Sequence, residues 1–224
     1  MAQGLRTSFS PERVEGSARR HVRMTRRTKN EEAIAIAEGI GPSHEALKEK
    51  NQAVALAEIA VEDAFDNWIA DDYVVDRLVH SVGRKTADYD GDHPGSRTHE
   101  AVFEGVSPSD VTKTSRAKQP NVITKILERA SGLPADHPAL PILPQLTAAN
   151  DQARASQAAH LVAVTALTEA KAAAEVAKLA VIQRYADNII DITRKVGEDL
   201  AERCFPRVRA RNKKTEEEEG DDEV

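Results

Sequence analysis

From Ser43 to about Thr86 the chain has no proline and one glycine, Gly83, and apolar residues recur every seven positions at Leu47, Val54, Val61, Trp68, Val75 and Val82. Ala57, Ala64, Phe65, Leu78 and Val79 fill the three- and four-residue steps between them. Apolar positions at that spacing share one face of a helix, and a sustained seven-residue period gives it heptad character. One long helix is therefore predicted over about 43–86, starting at Pro42 and Ser43, with Lys50, Asn51, Asp71 and Asp72 interrupting its second line.

A second window without proline runs from Gln145 to Phe205, with Gly197 its one weak point, and predicts a long Ala-rich helix over about 145–205. Its C-terminal part carries Ile182, Ile189 and Val196 at spacing seven, with Tyr185, Ile192 and Leu200 between them. Leu146, Ala153, Leu167, Ala174 and Val181, with His160 on the same line, follow a different phase. A helix with apolar residues on more than one stripe needs more than one neighbour, so a second helix or a partner chain is expected.

The stretch 87–144 is broken by turn residues, YDGDHPGSRTH and LPADHPALPILP among them. Within it, 119–131 reads as a short helix with Pro120 in its first turn, an apolar face of Val122, Ile123, Ile126 and Leu127, and Gly132 as its cap. Residues 31–38 read as another, with Asn30 as N-cap, Glu31 and Glu32 in the first turn and Gly39 as its end. Pro138, Pro141 and Pro144 have the three-residue spacing of a polyproline II edge and read as a stiff connector. The expected fold is all-α: a long antiparallel helical hairpin with a coiled-coil-like stem, short helices packed at one end, and disordered termini.

Composition supports that class, because 4% aromatic residues and abundant Ala suit narrow helix packing and not a β-rich core. A single cysteine, Cys204, excludes an internal disulfide framework and a Cys-based zinc site. The net charge of −6 conceals a strong segregation. Residues 1–30 carry eight Lys/Arg against two acids, 207–224 carry five against seven, and the remainder is acidic. Both ends lack apolar periodicity, which predicts a basic flexible arm over 1–30, a helical domain over 31–206 and a charged disordered tail over 207–224. No apolar leader opens the sequence and no run is long enough to span a bilayer, so a cytoplasmic setting is expected.

Candidate chemistry is sparse. Asp76 and His80 at i,i+4, and His93 and His99 in an acidic loop, are residue types that ligate zinc or manganese. The plainer reading is a solvated helix face paired with basic neighbours, and a polar turn. A helical di-metal site would need Glu-x-x-His on two helices, and the long helices contain none. Cys204 lies at a helix end where the dipole disfavours a thiolate, and no nucleophile elbow, Walker loop or dinucleotide fingerprint occurs. The reading is therefore non-enzymatic and without cofactor, a metal-dependent enzyme being the remote case. The expected function is a helical scaffold or interaction protein that assembles with itself or another protein through its helix faces, with Leu47, Val54, Val61, Trp68, Val75, Val82, Ile182, Ile189 and Val196 as the seam. The alternative is a nucleic-acid-associated protein whose Arg19, Arg20, Arg23, Arg26, Arg27 and Lys29 neutralise phosphates.

Overall fold

A computed structural model describes residue 2 and residues 4–205. Helices follow one another as α1 (Pro11–Arg27), α2 (Glu31–Glu38), α3 (Gly41–Asp92), α4 (Thr98–Phe103), α5 (Pro108–Thr112), α6 (Gln119–Ala130), a 3-10 turn at Leu140–Ile142, α7 (Leu143–Val196) and α8 (Glu198–Cys204), and no strand occurs among the described residues. The fold is all-α, as the periodicities predict, with long helices of 52 and 54 residues.

Contacts among the described residues divide them into two compact units, one of those up to 53 together with 171–205, the other of 54–170, so the division falls within the long helices. In the first unit α1, α2, the start of α3, the end of α7 and α8 share a core of Val14, Ala18, Ile40, Leu47, Val181, Tyr185, Ile192 and Phe205. Here lies the main correction to the sequence reading: instead of a flexible arm over 1–30, residues Pro11–Arg27 form a packed helix. Ser10 caps it, its Oγ accepting from the Arg13 N–H, and Pro11 opens its first turn. Its buried face is Val14, Ala18, His21 and Thr25, a stripe at i, i+4, i+7 and i+11 in which half the residues are polar. Hydrophobic periodicity alone cannot register such a stripe.

His21 is fully buried, and its partners settle its protonation. Nδ1–H donates to the Cys204 carbonyl at 3.0 Å, Asn188 Nδ2 donates to Nε2 at 3.3 Å, and the ring stacks on Phe205 with centroids 4.1 Å apart. One nitrogen donates and the other accepts, so the imidazole is neutral. α2 keeps its expected bounds, the Ala33 N–H donating to Asn30 Oδ1 at 2.9 Å. The predicted 145–205 helix is broken at Gly197, whose φ of 106° strains any residue with a side chain, and α8 turns back to cover the unit's core with Ala201 and Cys204. Val181, Tyr185 and Ile192 are buried, whereas Ile182, Ile189 and Val196 are partly buried against the same core.

In the second unit α3 and α7 run antiparallel. Asp71 accepts from Gln152 Nε2 at 3.2 Å and from the Ser156 hydroxyl, and the Trp68 and His160 rings lie 5.6 Å apart. Along α3, Val54, Ala57, Val61, Ala64 and Trp68 are half-buried, and Val75, Val79 and Val82 are buried, in three- and four-residue steps. On α7 the matching line is Leu146, Ala153, His160 and Leu167, the phase in which sequence reading already aligned them. The acids that interrupt the heptad on α3 are paired: Asp71 as above, Asp72 with Arg116 Nε at 2.8 Å. α4, α5 and α6 pack here around Val102, Phe103, Val111, Ile123 and Ile126.

Gly83 is buried under α5, where a Cβ would overlap Pro108 Cγ, which explains a glycine inside a long helix. Asp90, near the end of α3, accepts the Thr98 and His99 N–H groups at 2.8 Å each and so caps α4 from outside it. Burial opposes the charge on Asp90, but these bonds hold its carboxyl well below the usual carboxylate range. α6 ends one residue before its expected boundary with Ser131, not Gly132, as its C-cap. Pro141 sits in the 3-10 turn and Pro144 in the first turn of α7, so the prolines form no polyproline II edge.

Candidate functional site

α1 has two faces with different work. Opposite the buried Val14–Ala18–His21–Thr25 stripe, Arg19, Arg23, Arg26 and Arg27 recur at i, i+4, i+7 and i+8 and line one side of an open cleft of about 740 Å³. Glu38 of α2 and Ile40, Gly41 and His44 at the start of α3 form the rest of the wall, with Val22 on the α1 side. The Arg26 guanidinium donates to Glu38 Oε1 from Nε at 3.2 Å and from Nη2 at 2.9 Å. Arg19, Arg23 and Arg27 are exposed and make no ion pair among the described residues. His44 Nε2 is buried without a hydrogen-bond partner among them.

Four of the six predicted phosphate-binding residues are thus brought together, by helix formation and not by an arm. Arg20 and Lys29 do not line the cleft: Arg20 lies close enough to Tyr185 to oppose slightly the rise that burial imposes on its hydroxyl, and Lys29 follows α1 with φ 58°. Sequence reasoning missed Glu38, Ile40 and His44, which reach the cleft only because α2 folds back against α1.

The predicted metal ligands do not converge. Among the described residues no group of three His, Cys, Asp or Glu is placed to hold a metal ion. Asp76 accepts from Gln119 Nε2, and burial raises its carboxyl pKa, while His80 is exposed. His93 Nδ1–H donates to the Tyr89 carbonyl at 3.0 Å, and His99 Nδ1 lies 2.9 Å from the Thr86 hydroxyl. Asp76, His93 and His99 are thus engaged in fold contacts. Cys204 is buried, and burial pushes its thiol pKa up, away from the thiolate a nucleophile needs.

The second candidate is an apolar face. In the first unit α7 exposes Val176 (71%), Leu179 (50%) and Ile190 (63%), and Ala172, Gln183 and Ala186 complete their line at steps of four and three. This stripe lies away from Ala174, Val181, Tyr185 and Asn188, which α7 buries in its own unit. The second unit also exposes Leu56 and Ile59 on α3 and Leu161 and Val162 on α7. Among the described residues no helix is long and apolar enough to cross a membrane. Compared with protein-family models, curated proteins and solved structures, the chain has no match.

Proposed function

We propose that the chain is a structural assembly protein, which pairs with a second copy of itself through the outward stripe of α7 in a coiled-coil manner. The observation that carries this reading is the stripe Ala172–Val176–Leu179–Gln183–Ala186–Ile190, free of charge and largely in water. Single exposed apolar residues are ordinary, but a line of them at helical spacing is what a partner helix covers.

A second copy fits the stripe because its sizes are self-complementary. Under an antiparallel two-fold, Ala172 faces Ile190, Val176 faces Ala186 and Leu179 faces Gln183, so each bulky side chain meets a smaller or a polar one. A two-fold interface requires a patch that complements itself in this way. The reading has no catalytic step and no cofactor, and it keeps the cytoplasmic setting, in which a free thiol such as Cys204 stays reduced. Sedimentation equilibrium tests it: the wild-type chain is expected at twice 24.4 kDa, and Val176→Glu with Leu179→Glu at the monomer mass with unchanged helicity. A wild-type monomer across the micromolar range refutes the reading.

A further inference from the structure

The arginine cleft of the first unit has an occupant in the chain's own sequence. We propose that the acidic run 216–223 is the occupant of this cleft, an acidic-peptide groove in which it meets Arg19, Arg23 and Arg27. Residues 216–223 carry seven carboxylates in eight positions, and the three guanidiniums they would meet are exposed and without an ion pair among the described residues. Arginine's planar fork is matched to carboxylate geometry, and the cleft already holds one such pair, Glu38 on Arg26. Val22, half-buried on the same cleft, offers apolar surface to the methylene stems of glutamates.

The tether makes this occupant favoured over a free one. The described chain ends at Phe205, whose ring stacks on His21 of α1, so the sequence that follows starts beside the helix that carries the arginines. Position 216 lies eleven residues further on, a reach of up to about 36 Å. The arginine stripe from Arg19 to Arg27 extends about 12 Å along α1. A short tether gives an effective concentration in the millimolar range, which a free ligand must exceed. Nucleic acid is the rival polyanion, but no Phe, Tyr or Trp lines the cleft, so bases find no stacking surface there.

The test is the binding of a labelled peptide of sequence EEEEGDDE to full-length chains, followed by fluorescence anisotropy at low salt. One chain is the wild type and another carries Glu216→Gln, Glu217→Gln, Glu218→Gln and Glu219→Gln. A third, charge-matched chain carries Glu62→Gln, Asp63→Asn, Asp66→Asn and Glu169→Gln at exposed positions outside the first unit. The chain with the neutralised run is expected to bind at least ~10-fold tighter than the wild type, because its own competitor is gone. The charge-matched chain should stay within about two-fold of the wild type, and adding Arg19→Ser, Arg23→Ser and Arg27→Ser to the neutralised chain should abolish binding, as should high salt. Equal affinity for wild-type and neutralised chains, or no binding to the neutralised chain, overturns the proposal. A single-stranded oligonucleotide that binds the wild type as tightly as the neutralised chain also overturns it and gives the cleft to nucleic acid.

Discussion

His21 sits without exposure among Phe205, Tyr185, Asn188 and the Cys204 carbonyl, and burial lowers its pKa from the ordinary 6.5 to about 4. In that window the unfolded chain holds a proton on this residue and the folded chain does not, so the unfolded state binds more protons and stability rises with pH. Acidification from pH 7 to pH 5 therefore costs about 2 kcal/mol through this group alone. Urea titrations at the two pH values should show that loss, and His21→Gln should remove about that much of the pH dependence while being less stable at pH 7. Gly83 is the other residue whose role is packing. Ala would ordinarily strengthen a helix by about 1 kcal/mol, yet here its Cβ meets Pro108, so Gly83→Ala is expected to destabilise by about 1–3 kcal/mol in a thermal melt. Neither role is written in the sequence. A histidine between arginines and a glycine in a helix acquire meaning only from Phe205 and Pro108, which are distant in the chain.

The long helices were legible as elements because they repeat. Leu47 to Val82 on α3 and Leu146 to Val181 on α7 keep their period through many turns, and most of those residues are buried or half-buried. α1 was hidden because Val14, Ala18, His21 and Thr25 do not look like a core, although Ser10 and Pro11 are an ordinary helix start that could have flagged it. α7 stops short of the expected 205 for a different reason. Gly197 inside an Ala-rich window reads as a tolerated weak point, and only the backbone shows that it takes φ 106° and lets α8 turn back. Gly197→Ala should therefore cost about 1–3 kcal/mol and loosen α8 first. A thiol reagent reports this directly, since Cys204 is buried in the wild type and is expected to react faster in the variant at unchanged overall helicity. Equal reactivity would mean that α8 is held without the glycine.

At the scale of the whole molecule, the segregated charge takes on a structural meaning. Arg19, Arg23, Arg26 and Arg27 are displayed by a folded helix whose other face is core, so they form a fixed cleft and not a loose arm. The residues of this cleft were half readable: the arginines stand out by composition, while Glu38, Ile40 and His44 arrive through the return of α2 and α3. The apolar face of α7 was legible only as an excess, a helix with more stripes than one neighbour can cover. Its most direct test is oxidative cross-linking of two full-length variants, Val176→Cys and Ala186→Cys, mixed and compared with either alone and with Ala60→Cys as an exposed control. A disulfide needs the two Cβ atoms within about 4.5 Å. The antiparallel pairing predicts a covalent dimer that forms far faster in the mixture than with either variant alone or the control. A mixture that stays monomeric, or cross-links no faster than Ala60→Cys, contradicts assembly through this face.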